Sequence, residues 1–98
     1  MLVEFHPDAE IEFVENALFY ESRVVGLGYR FIREVEYHIG LLLTHPELGE
    51  IYGGKFRHLA LDHFPYTLIY TIKPDSISII AVSHQHKRPG YWHNRDNL

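Results

Sequence analysis

The stretch that decides the fold is 66-YTLIYTIKPDSISIIAVSH-84. Residues 66–73 alternate between two sets of side chains, which predicts a strand with one better-buried face. Residues 73–76 predict a turn, because Pro74 supplies the fixed dihedral of its first central position. Residues 77–84 are β-branched at half of their positions, which predicts a central strand. Together the two segments predict an antiparallel hairpin.

Before this hairpin, the second half of the chain shows the same two-residue alternation of side chains, which is typical of β-strands. Residues 56–61 predict a preceding strand, and the break at 62–65 is short enough for the three strands to form a meander. The stretch Pro46–Gly54 is rich in turn residues. The short apolar run Leu2–Phe5 is expected to join the same sheet.

The first half has the period of a helix. Proline and acidic residues after His6 favour a helix start, and apolar residues then recur at spacings of three and four over about residues 7–23. These apolar positions are Ile11, Val14 and Leu18, together with Phe13, Ala17, Tyr20 and Val24. Gly26 and Gly28 predict a helix–helix turn. A second helix ends at His45-Pro46, with Phe31, Val35, Ile39 and Leu42 facing inward and Arg30, Arg33, Glu34 and Glu36 facing outward. Since two helices joined so closely pack as a hairpin, the order β-α-α-β-β-β predicts an α+β fold with the helical hairpin on an antiparallel sheet.

Length and composition limit the possible classes of protein. The 98 residues predict a single domain spanning 1–98, and the absence of cysteine excludes a disulfide scaffold and a thiol nucleophile. Residues 1–50 hold three arginines against ten acidic residues, whereas residues 51–98 hold six basic residues against three acidic ones. An acidic chain is a poor general binder of nucleic acid. No membrane segment or signal peptide is predicted, so a soluble cytoplasmic protein is expected.

Four motifs resemble the RelE/ParE superfamily of toxins, the plasmid-stabilisation type of type II toxin–antitoxin system. They are His6-Pro7-Asp8-Ala9, Leu27-Gly28-Tyr29-Arg30-Phe31, Phe64-Pro65-Tyr66 and the tail from His84 to Trp92. The resemblance extends over nearly the whole chain. It implies the same β-α-α-β-β-β fold and a toxin that a small cognate antitoxin neutralises.

The resemblance leaves two targets open. ParE-like members inhibit DNA gyrase and cut nothing themselves, whereas RelE-like members cleave mRNA at the ribosome. Metal-independent RNA cleavage needs a base, an acid, and cations for the charge of the phosphorane. Arg57 and Arg88 could supply the cations and His84 or His86 the acid or the base, while Tyr91 could stack on a splayed RNA base. No cofactor is expected for either activity.

The composition favours the hypothesis that the protein inhibits DNA gyrase, because binding to the ribosome and to mRNA depends on many basic residues that this chain lacks. Each candidate also has a structural interpretation. Arg57 could pair with a helix carboxylate such as Glu34 or Glu36. Tyr91 and Trp92 could hold the C-terminal tail on the sheet. The spacing of His84 and His86 admits a metal site, although no third and fourth ligands are apparent.

Overall fold

The computed structural model describes residues 1–95, and its element order confirms the predicted α+β fold. The elements are β1 (Leu2–Phe5), α1 (Pro7–Arg23), α2 (Leu27–Thr44), β2 (Glu50–Ile51), β3 (Arg57–Ala60), β4 (Tyr66–Ile72) and β5 (Ser76–His84), with short 3₁₀ turns at Pro46–Leu48 and His93–Arg95. The strand β2 lies within the stretch predicted as turns. Neither helix, among the residues described, combines the length and apolar character needed to cross a bilayer.

The sheet has the strand order β1-β5-β4-β3-β2. Strands β3, β4 and β5 form the predicted antiparallel meander. Leu2–Phe5 joins the sheet as predicted, but β1 runs parallel to β5, with Val3 opposite Ile77. The sheet is therefore mixed, which corrects the prediction of an antiparallel sheet. The parallel pair is possible because the helical hairpin and strands β2 to β4 lie between β1 and β5 in the sequence.

The two faces of the sheet have different coverings. The helical hairpin covers one face, where Phe31, Val35 and Leu42 of α2 pack on buried side chains of β4 and β5. On the opposite face, here called the open face, Trp92 of the C-terminal segment packs against Phe56 and Ile80. Trp92 is only 2% exposed. This confirms that it holds the tail on the sheet.

The turn between the helices brings them unusually close. Gly26, the residue that precedes α2, has a φ of 87°, and the Glu21 carboxylate accepts hydrogen bonds from the backbone N–H groups of Gly26 and Gly28. A Cβ atom on Gly28 would lie 2.4 Å from the Ala17 carbonyl oxygen. Glycine at this position is therefore what allows α2 to pack on α1.

The apolar positions of α1 form two stripes instead of one. Phe13, Ala17 and Tyr20 face the core, whereas Ile11, Val14 and Leu18 are exposed. The periodicity predicted the helix correctly, but the second stripe lies on the face directed away from the sheet.

Candidate functional site

The open edge of β5 is where the C-terminal segment meets α1. Strand β1 pairs with β5 only as far as Phe5 opposite Ile79. Beyond that point the backbone of β5 bonds to side chains: the Val82 N–H donates to Glu12 Oε1 at 3.0 Å, and Arg95 Nη1 donates to the Ile80 carbonyl at 3.2 Å. These two side chains replace the missing strand, since a buried strand edge needs hydrogen-bond partners.

Glu12 also holds the C-terminal segment. Its Oε2 accepts hydrogen bonds from the Tyr91 hydroxyl at 2.8 Å and from Arg95 Nη2 at 3.0 Å. Burial and the hydrogen bond to Glu12 raise the pKa of Tyr91 to about 12. Burial alone would lower the pKa of Arg95, but Glu12 and the neighbouring groups outweigh it, so that this pKa is raised. Tyr91 is thus a neutral hydrogen-bond donor at physiological pH.

A polar notch lies between α1 and the ends of β4 and β5, with a volume of about 220 Å³. His84 is at its wall, with its ring centroid 5.0 Å from that of Tyr66. Its Nδ1 accepts the His86 backbone N–H at 3.0 Å, which leaves Nε2 to carry the proton of the neutral ring. Lys87 also lines the notch, with Nζ 5.4 Å from the centroid of the Tyr91 ring.

The open face carries a second cavity of about 170 Å³ beside Trp92. Tyr52 contacts both the His58 ring and the Trp92 ring, at centroid distances of 4.8 Å and 5.6 Å. Thr67 and Ser83 contribute hydroxyl groups to the lining. Two histidines, His58 and His84, line this cavity, so His84 borders both the polar notch and the cavity on the open face.

Arg57 lies neither at the polar notch nor at the cavity beside Trp92. It is directly opposite Tyr70, so both side chains are on the helix-covered face, whereas the preceding Phe56 packs with Trp92 on the open face. Arg57 Nη1 donates to the Gly49 carbonyl at 2.9 Å and, more weakly, to the Glu47 carbonyl at 3.4 Å. The alternative interpretation of Arg57, an ion pair with Glu34 or Glu36, is therefore wrong, because Arg57 binds main-chain carbonyls of the segment after α2.

The five residues predicted for RNA cleavage are thus divided between two places. His84 is opposite Tyr66 and Arg57 is opposite Tyr70, on the two strands that flank β4. Four residues along the strands and two strand spacings separate their Cα atoms by roughly 16 Å.

The other members of the predicted set lie near the end of β5. Tyr91 is near His84 at the polar notch, and the His86 ring centroid is 5.2 Å from that of His84. Arg88 is exposed in the segment that follows β5. No group of three potential metal ligands occurs in residues 1–95.

Glu34 is a residue whose environment the helical pattern did not predict. Predicted to face outward, its side chain is only 11% exposed, and it accepts hydrogen bonds from the backbone N–H groups of Asp62 and His63 and from the His63 ring. Burial alone would raise the pKa of Glu34, but these hydrogen bonds and the charge of His63 outweigh it, so that the pKa is lowered. Glu34 therefore links α2 to the turn before β4 through these hydrogen bonds.

The sequence pattern also did not predict the contact between Glu12 and Arg95. A glutamate in the first turns of a helix is explained by the helix dipole alone, and nothing in the local sequence pairs it with a residue 83 positions later. The signal that could have found it is the length mismatch between β1 and β5, since four residues cannot cover a strand of nine.

Comparison with known proteins bears on the class of the protein. A model of the ParE toxin of the type II toxin–antitoxin system parDE matches residues 3–89. Among solved structures, a chain from the chromosomal ParDE TA system of P. aeruginosa is similar, with a TM-score of 0.71 and 15% sequence identity over 86% of this chain and 95% of that chain. No curated protein sequence matches significantly.

A helical hairpin on a mixed five-stranded sheet, matched by a toxin model over most of its length, defines a toxin of a type II toxin–antitoxin system. The chain belongs to the ParE toxin family.

Proposed function

We propose that this protein arrests growth by binding DNA gyrase and that a cognate antitoxin neutralises it. The observation that carries the proposal is the ParE toxin match over residues 3–89. Gyrase inhibition is a binding activity, so it requires an exposed protein surface and no assembled catalytic group.

The position of Arg57 supports this choice over RNA cleavage. Acid, base and phosphate-binding cations must reach one scissile phosphate, with each group within hydrogen-bond distance of its atom. Arg57 lies roughly 16 Å from His84, as estimated from strand spacing, and it is occupied by main-chain carbonyls. Tyr91, the candidate for stacking on an RNA base, donates its hydroxyl to Glu12 and has the Arg95 guanidinium 5.0 Å from its ring centroid, so its contacts hold the C-terminal segment.

Charge gives separate support. The chain carries a net charge of −4, and its helical half is the more acidic one. Binding to ribosomal RNA gains most of its affinity from neutralised phosphates, which an acidic protein supplies poorly. A protein target imposes no such requirement.

The cognate antitoxin follows from membership of a toxin–antitoxin family. We expect it to be encoded beside this protein and to form a tight complex with it. The strand β2 offers one site for an extended segment, because it is a two-residue edge strand with Ile51 exposed.

The test is expression of the protein without its antitoxin, followed by two readouts from the same culture. The proposal expects DNA breaks and SOS induction with intact mRNA. Cleavage of mRNA at ribosomes with intact chromosomes would instead support the RelE-like endoribonuclease.

A variant with both Arg57→Ala and Arg88→Ala separates the two activities further. Gyrase-directed toxicity should survive the double substitution, whereas a ribonuclease that uses these cations should lose its toxicity. Immunoblotting should show that the variant accumulates to the wild-type level, so that lost toxicity is not lost protein.

A further inference from the structure

Two histidine rings accept main-chain hydrogen bonds, one before α1 and one at the end of β5. His6 Nδ1 accepts the Asp8 N–H at 3.0 Å and caps the N-terminus of α1. His84 Nδ1 accepts the His86 N–H at 3.0 Å in the turn where the chain leaves β5. An imidazole accepts a hydrogen bond only through an unprotonated nitrogen, so each bond requires a neutral ring with its proton on Nε2.

The two elements that these rings stabilise are the ones that Glu12 holds together at the edge of β5. His6 precedes the helix whose second turn carries Glu12, and the His6 N–H donates to the Ile79 carbonyl at 2.9 Å, where the pairing of β1 ends. His84 is the last residue of β5, directly before the segment that binds Glu12. The positions of Glu12 and of its partners therefore depend on both hydrogen bonds.

We propose that His6 and His84 form a pH-sensitive switch, which loosens the C-terminal segment when the two rings take up a second proton. Histidine is the side chain whose charge ordinarily changes between pH 5 and 8. A doubly protonated ring has no lone pair, so acidification removes both main-chain hydrogen bonds. The unfolded chain has no such bonds to lose, and protonation therefore favours opening. The edge of β5 beyond Ile79 then becomes available to a partner strand.

The charges around His6 do not compensate for the lost hydrogen bond. A positive ring at the N-terminus of α1 opposes the helix dipole, whose positive end lies there. The Asp8 carboxylate is 3.9 Å from His6 Nδ1, but it is 57% exposed and is also 3.9 Å from Arg95 Nε. Glu10, the other acidic residue of the first turn, lines the groove on the outer face with Ile11. An exposed ion pair stabilises a protein less than a helix cap does, so protonation of His6 weakens the start of α1.

The charges around His84 are of both signs. The titratable groups that share its two cavities or contact its ring come from α1, β3, β4 and the segments that follow β2 and β5: Glu12, Glu15, Tyr52, His58, Tyr66, His86, Lys87 and Tyr91. Glu12 is already bound by Tyr91 and Arg95, which leaves Glu15 as the carboxylate that attracts a charged ring. Lys87 and a protonated His86 repel such a ring, so Glu15 does not replace the lost hydrogen bond.

Asparagine at both positions separates the hydrogen bond from the titration. Its Oδ1 atom accepts a main-chain N–H two residues ahead, as at helix caps and in Asx turns, and the side chain does not titrate. Urea unfolding of the full-length protein, followed by far-UV circular dichroism, compares wild type with the variant carrying His6→Asn and His84→Asn. Between about pH 7.5 and about pH 5.5, the midpoint of wild type should fall by about 1 M more than that of the variant. The remaining titratable groups are the same in both proteins, so their contributions largely drop out of this difference. His45→Asn, at an exposed position after α2, is the control and should keep the wild-type pH dependence.

Two NMR measurements test the starting state and the site of opening. The nitrogen shifts of His6 and His84 at about pH 7.5 should show the ring proton on Nε2. Amide hydrogen exchange should show that the Val82 N–H, which donates to Glu12, is protected at least about threefold less in wild type than in the asparagine variant at about pH 5.5.

Three results would overturn the proposal. The first is a neutral ring with its proton on Nδ1 at either histidine, a measurement that needs no variant. The second is an equal pH dependence of the midpoint, or an equal protection of Val82, in wild type and in the asparagine variant. The third is a wild type that gains stability relative to the variant as the pH falls, since Asp8 and Glu15 would then hold the charged rings in place. None of these results depends on the toxin's target, so gyrase inhibition is tested separately.

Discussion

Replacing Glu12 with alanine should release the C-terminal segment and expose the edge of β5. The carboxylate accepts three hydrogen bonds, from Val82, Tyr91 and Arg95, and its side chain is 19% exposed. A buried N–H left without a partner costs about 1–3 kcal/mol, and a hydrogen bond to a charged group contributes about 1.5–3 kcal/mol. Because such losses are not additive, we expect Glu12→Ala to lower the free energy of unfolding by about 3–4 kcal/mol.

Urea unfolding provides the measurement. For a small domain with an m-value of about 1.5 kcal/mol/M, this loss lowers the midpoint by about 2–3 M. Trp92 is the single tryptophan, so its fluorescence follows the C-terminal segment while far-UV circular dichroism follows the helices. Glu15→Ala, at an exposed position on the same helix, is the control and should change the free energy of unfolding by less than about 0.5 kcal/mol at low protein concentration. A midpoint decrease below about 0.5 M for Glu12→Ala would refute the assignment of Glu12 as the residue that closes this edge.

Three further predictions concern other parts of the molecule. Gly28→Ala should destabilise the fold by about 1–3 kcal/mol in urea unfolding, because its Cβ would lie 2.4 Å from a main-chain oxygen. The control is Gly40→Ala, which has open space around it and should stabilise the fold by about 0.5–1 kcal/mol. Equal effects of the two substitutions would contradict the close contact between the helices. Trp92→Ala should cost about 3–5 kcal/mol, and a loss under 1 kcal/mol would show that the tail does not cover the open face. Since the pKa of Glu34 is lowered from 4.5 in the folded state, its ionised form stabilises the fold above that pH and this stabilisation is lost as the pH falls through the folded value. The difference in unfolding free energy between wild type and Glu34→Gln should therefore shrink as the pH falls below 4.5, and a constant difference would argue against the bond to the turn.

Elements with a clear period were predictable from the sequence. The bounds of α1 and the meander follow from apolar spacing and from proline and glycine, which act within a few residues. The strand β2 escaped prediction because two residues carry no period. The parallel pairing of β1 with β5 depends on a contact between the two ends of the chain, which local pattern cannot show.

The candidate site was predicted less well, for a similar reason. All five candidate residues were expected near one end of the sheet, and His84 and Tyr91 do line the same polar notch. Arg57 does not join them, because β3 and β5 are both antiparallel to β4 and therefore run in the same direction. The start of β3, where Arg57 lies beside the carbonyl of Gly49, is thus at the opposite end of the meander from the end of β5.

Gyrase inhibition is measured most directly by a supercoiling assay with purified gyrase, relaxed plasmid and the purified toxin. We expect supercoiling to be inhibited in proportion to the toxin, and equally by wild type and by the variant with Arg57→Ala and Arg88→Ala. Unimpaired supercoiling at a large molar excess of toxin, together with mRNA cleavage when the same preparation is added to translating ribosomes, would show that the target is mRNA and not gyrase.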